Sequence, residues 1–161
     1  MEFSHHPALW SAHPTLVAGV LSAQGIRADV DASSAVARYE AAARERLAAV
    51  ESESDLPAIQ AWRRAFQRMG LKPTQYRCAS ESLLRRLRKE GTMPRIHPLI
   101  DVCNAISMAF AIPVAALDFD RIEGPLQVRP AAGGRLNRLA WAGAHRPPLA
   151  QRRRERCLDR P

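Results

Sequence analysis

No apolar run in this 161-residue sequence approaches the length that a bilayer demands. The longest early one, Leu16 to Leu21, stops after six residues, where a membrane-spanning helix needs about 20. No basic segment introduces that run and no convincing cleavage site follows it, so no signal peptide is predicted. Cysteine is also scarce. Cys78, Cys103 and Cys157 are far apart and odd in number, which fits neither a zinc knuckle nor a disulfide framework and suits a reducing cytoplasm. Their expected roles are two buried small hydrophobes and one tail thiol. Internal repeats, a Walker loop, a nucleophile elbow and metal-ligand spacing are all missing, so no metal and no cofactor are expected.

What remains is a chain sized for one domain, with 47% hydrophobic residues to build a core. Its formal net charge of +8 invites a nucleic-acid reading, but the charge is unevenly placed. Residues 133–161 hold eight arginines against Glu155 and Asp159, a surplus of +6, which leaves +2 for residues 1–132. The high isoelectric point therefore describes the tail, and long-range steering of a polyanion cannot be argued from the body.

Along the body, Pro14 to Leu21 reads as a short buried strand closed by Gln24-Gly25. A helix follows with Ser33 or Ser34 as cap and an apolar stripe of Val36, Tyr39, Ala43, Leu47 and Val50. The segment Glu51 to Asp55 interrupts it and supplies the next cap, with Pro57 in the following first turn. Ile59, Trp62, Phe66 and Met69 form the inner face of a second helix that Gly70 ends. A third runs from about Ser80 to Glu90, with Leu83, Leu84 and Leu87 inward and Gly91 as its stop. A fourth carries Leu99, Val102, Cys103, Ile106 and Phe110 and ends before Pro113. Two strands, Val114 to Phe119 and Leu126 to Val128, are predicted to join through Glu123-Gly124. Strand, helices, then strands make an α+β domain rather than a βαβ repeat.

Several short pieces then fall into one order: Ala61-Trp62-Arg63, Phe66, Gly70, Pro73, Tyr76-Arg77, Ser80-Glu81 and Leu83 to Arg86. They continue through Gly91, Pro94, Ile96, Leu99-Ile100-Asp101, Asn104, Ser107, Pro113-Val114, Asp118 to Gly124 and Arg129. In that order and spacing the stretch resembles the B3/B4 domain family. This is the module that hydrolyses wrongly made tyrosyl-tRNA in the phenylalanyl-tRNA synthetase beta subunit, and freestanding bacterial members look similar throughout. The resemblance implies the mixed helix-and-sheet fold of that domain, tRNA or aminoacyl-tRNA as partner, and an aminoacyl ester held in a pocket by backbone donors. With no apolar run long enough to span a bilayer, no membrane partner is expected, and no DNA specificity is evident. A deacylase of this kind would position a water rather than activate a side-chain nucleophile.

The candidate binding residues are Arg77, Glu81, Arg85, Arg86, Asp101, Asn104, Ser107 and Asp118. Asp101, Asn104 and Ser107 recur every three residues, a polar stripe that can lock backbone or touch a substrate. Asp118 and Asp120 alternate with Phe119, so on a strand they share a face, suited to acid–base or metal work or simply a solvated strand end or turn cap. Arg85, Arg86, Arg88 and Lys89 offer either a phosphate-binding face or a solvated one. Glu81 lies four residues before Arg85, an ion-pair spacing. Arg77, just ahead of the third helix, is the base expected to face a ligand. His5, His6 and His13 are expected to be mobile, and His97 before Pro98 at a helix start to cap or pack rather than catalyse.

The resemblance fades at about Ala131-Ala132, where the family continues with further strands that complete the sheet and part of the pocket. From Gly133 onward, 18 of 29 residues are Gly, Ala, Pro or Arg, with no Val, Ile, Phe, Tyr or Lys. A GC-rich gene read out of frame yields this composition, and an authentic disordered basic tail is the alternative. The domain is thus expected to span residues 1–132 and to lack its C-terminal strands, which would leave a sheet edge and an apolar face uncovered. An amino-acid-binding or scaffold domain that keeps the fold without tRNA is the second functional reading.

Overall fold

The computed structural model describes residues 2–130; the basic tail, with Cys157 and the expected frame change, lies outside them. The element order is β1 (Phe3–His5), α1 (Pro7–Ala12), α2 (Ser33–Ala48), α3 (Pro57–Arg68), α4 (Ala79–Glu90), α5 (Pro98–Phe110) and β2 (Leu126–Val128). Single 3-10 turns stand at Glu53–Asp55 and Phe119–Arg121. Helices therefore dominate, with one small sheet, as an α+β reading requires.

α2 packs most extensively on α5, and α4 lies against both. Ala43 and Leu47 of α2, Leu56, Ile59 of α3, Leu84 and Leu87 of α4 and Met108 of α5 form the buried core. Trp62 and Phe66, one turn apart on α3, pack against it with ring centroids 6.1 Å apart and tilted, a favourable aromatic geometry. The predicted glycine stops hold. Gly70 and Gly91 follow α3 and α4 at φ +76° and +72°, the left-handed conformation in which a Cβ is penalised. His97 caps α5, its Nδ1 accepting from Leu99 N at 3.2 Å.

Several expectations fail for identifiable reasons. Pro14 to Leu21 is irregular, not a buried strand, and Val17 and Leu21 are 91% and 89% exposed. An apolar run can signal a strand, but here no neighbouring strand or core covers it among the described residues. The N-terminus supplies the strand instead. β1 pairs in parallel with β2, Phe3 opposite Leu126 and His5 opposite Val128. His5 sits in that strand, and the Nδ1 of His6 caps α1 by accepting from Ala8 N at 3.1 Å. The main-chain N–H of His13 closes the same helix on Leu9 O at 2.8 Å, so all three histidines have structural places. β2 has the predicted bounds. The strand predicted from Val114 to Phe119 does not form: residues 114–118 are irregular and Phe119 opens a 3-10 turn.

Capping of α2 also differs from prediction. Ser33 is its first residue, and Asp31 accepts from Ser33 N at 2.8 Å. Met69, assigned inward, is half exposed because α3 has already ended at Arg68. On α5 the buried positions are Asp101, Ala105, Ser107, Met108 and Ala109. The bulkier Leu99, Val102, Cys103 and Ile106 are only partly covered, and Phe110 is exposed. Small residues let α2 approach closely, so the tight side of the helix is not its most hydrophobic side.

Candidate functional site

Three buried glutamates organise the charged groups of the body, and each meets two arginines. Glu40 on α2 accepts from Arg95 at 3.0 Å and pairs with Arg44 at 3.4 Å. Glu53, in the 3-10 turn before α3, takes Arg85 at 3.2 Å and Arg88 at 3.4 Å. Glu81, in the first turn of α4, takes Arg63 of α3 at 2.6 Å and Arg77 of the preceding loop at 3.5 Å. The Glu81 side chain is fully buried, so two guanidinium groups offset the desolvation of one carboxylate. That pairing raises the pKa of Arg63, with burial opposing the shift. Glu81 Oε2 and Arg77 Nε are buried without a hydrogen-bond partner among the described residues.

Arginines of the same frame close helix ends. Arg88 donates to Leu47 O and Val50 O at 3.2 and 3.3 Å. Arg44 reaches Gly91 O at 2.9 Å, and Arg46 reaches Ala109 O at 2.8 Å. Last-turn carbonyls have no partner inside their own helix, and cationic donors suit the negative end of its dipole.

The predicted site residues fall into separate places on this frame. Arg77 and Glu81 are brought together, and Arg77 also donates to Thr74 O at 3.1 Å. Glu81 does not pair with Arg85, as its spacing suggests; Arg85 turns to Glu53 because that buried acid needs a partner. Arg86 pairs with Glu90 at 2.9 Å on the exposed side of α4. Of the four candidate phosphate-facing bases on α4, Arg85 and Arg88 thus hold Glu53, Arg86 holds Glu90, and Lys89 is exposed.

Asp101 and Ser107 lock backbone at the two ends of α5. Asp101 Oδ1 accepts from Ile96 N at 2.9 Å, and the Ser107 hydroxyl donates to Ile112 O at 2.6 Å. The turn that Ser107 secures includes Ala111 at φ +55°, whose carbonyl accepts from the buried Ser80 hydroxyl at 3.3 Å. Asn104, between them, is half-buried. Asp118 is exposed and caps the 3-10 turn, accepting from Asp120 N at 3.1 Å. The predicted shared strand face for Asp118 and Asp120 therefore does not form.

Among the described residues, no group of three or more His, Cys, Asp and Glu side chains could hold a metal ion. An open depression of about 600 Å³ between α2 and the end of α5 is lined by Tyr39, Arg46, Leu56 and Phe110, among others. A smaller one, about 130 Å³, includes Asp31, Arg95 and Asp101. Cys78 is buried and Cys103 half-buried, and burial pushes the Cys103 thiol pKa up. No described helix is long and apolar enough to cross a membrane.

A helical body closed by buried carboxylate–arginine pairs, carrying one small parallel sheet, is the frame on which any site must be built. The B3/4 domain family matches residues 61–142, from within α3 through β2 and beyond. That is just over half of the chain, and the chain belongs to this family. No curated protein and no solved structure matches it.

Proposed function

We propose that this chain binds aminoacyl-tRNA in the cytoplasm and acts in trans as an editing-type domain, hydrolysing the ester of a wrongly charged tRNA. The observation that carries this reading is the family match over residues 61–142, because the B3/4 family is associated with the phenylalanyl-tRNA synthetase beta subunit and with tRNA binding.

The chemistry of the described side chains favours a positioned water as nucleophile. Ser80 and Ser107 are buried, and both hydroxyls donate to main-chain carbonyls. The Nδ1 of His97 is engaged as a helix cap. A serine with its proton committed to a carbonyl lacks the adjacent base that would activate it. Ester hydrolysis then rests on orientation of water and substrate, with backbone donors stabilising the developing oxyanion.

The test is incubation of the full chain with tRNAs carrying cognate and non-cognate amino acids. Deacylation above the spontaneous rate for at least one mischarged species, together with tRNA retention, is the expected result. Absence of both, with thermal stabilisation by free amino acids alone, would assign the fold to small-molecule binding instead.

A further inference from the structure

From Leu56 to Ser80 the sequence contains five bases and no acid. Two of the five, Arg63 and Arg77, are drawn into Glu81. The other three, Arg64, Arg68 and Lys72, are exposed and make no ion pair among the described residues. Arg64 and Arg68 are one helical turn apart and share a face of α3. Lys72 follows shortly after the helix stop, in a turn where its carbonyl accepts from Gln75 N and Tyr76 N. Tyr76 closes that turn and is 51% exposed.

We infer that the exposed side of α3 carrying Arg64 and Arg68, together with the turn after it that holds Lys72 and Tyr76, is where the domain holds the phosphate backbone of its RNA. The inference rests on the tRNA-binding reading above and locates it. Elsewhere in the body acids and helix-end carbonyls take most of the arginines, and the exposed bases without an ion pair among the described residues, Arg38, Lys89 and Arg129, stand singly in the sequence. Here three exposed cations remain without an acidic neighbour in sequence, the arrangement that releases counterions when a polyanion docks. The exposed tyrosine in the same turn as Lys72 adds a platform on which an unpaired base can stack.

The chain has only two lysines, Lys72 on this face and Lys89 in the last turn of α4. Amine acylation of the full chain, read by peptide mass spectrometry with and without bulk tRNA, therefore carries its own control. At low salt, tRNA slows acylation of Lys72 several-fold and leaves Lys89 unchanged, and added salt abolishes the difference. The exposed double variant Arg64→Gln, Arg68→Gln loses the Lys72 protection while keeping the wild-type melting temperature. Retention of tRNA with Lys72 as reactive as in the free protein would overturn the proposed face and leave the functional reading standing. Equal protection of Lys72 by polyglutamate would overturn it in favour of an acidic protein partner. No retention of tRNA at any salt would remove both the face and the reading it rests on.

Discussion

The bases on α4 and those on α3 differ in what surrounds them, although the two helices carry similar numbers. On α4, Arg85 and Arg88 reach the buried Glu53, Arg86 reaches Glu90, and Arg88 also closes the end of α2. On α3, Arg63 is consumed by Glu81, whereas Arg64 and Arg68 stay exposed. Charge counted along a sequence therefore says little about charge offered to a partner. What decides is the presence of a buried acid within reach, because an interior carboxylate without a cation is expensive.

The sharpest way to break this comparison is to remove an acid. Replacing Glu81 with Ala should destabilise the fold by about 3–5 kcal/mol, since Arg63 and Arg77 lose the charge that compensates their burial. Denaturant titration reads it, and an unchanged midpoint would show that the clasp is idle.

Leu84→Ala, in the core, should cost about 2–5 kcal/mol. Val17→Ala, in the exposed N-terminal arm, should stay within about 0.5 kcal/mol. Comparable losses at the two positions would mean that the arm packs after all.

Ser107→Ala leaves the Ile112 carbonyl without its donor, with an expected loss of about 1–3 kcal/mol and faster amide exchange after α5.

The smallest effects are set by pH. Hydrogen bonds from Ser33 lower the pKa of Asp31 in the folded chain. Its contribution is therefore present above the ordinary carboxylate range and disappears as pH falls through the folded value. Amide exchange in the first turn of α2 should rise in acid, and Asp31→Asn should flatten that rise. The raised Cys103 thiol should alkylate more slowly than a free cysteine at mildly alkaline pH, converging with it as pH increases.

Much of the helical body is legible in the sequence because glycine, proline and apolar spacing act locally. Gly70, Gly91, Pro57 and His97 all do what their chemistry predicts. Of the sheet only β2 is legible, because its pairing joins Phe3 to Leu126 across nearly the whole described chain, a partnership that no local pattern encodes. The clamps are half legible. Glu40 sits among Val36, Ala43 and Leu47 on the buried stripe of α2, and an acid at such a position announces a cationic partner. Which arginine answers is only partly local: forward spacing points Glu81 to Arg85, yet Arg77, four residues before it, and Arg63 of α3 hold it. The resemblance to the family is readable from ordered short motifs, and the family match over residues 61–142 bears it out.

The division of the arginines is tested most directly by the salt dependence of tRNA retention, measured in parallel on three full-length chains: wild type and two variants. The Arg64→Gln, Arg68→Gln, Lys72→Gln variant should lower the slope of log affinity against log salt by about 2, roughly 0.7 for each single-strand phosphate left without its cation. The Arg44→Gln, Arg95→Gln variant, which strips the partners of Glu40 instead, should leave the slope at its wild-type value wherever the chain remains folded. An unchanged slope in the α3 variant, or an equal drop in both, would contradict the account.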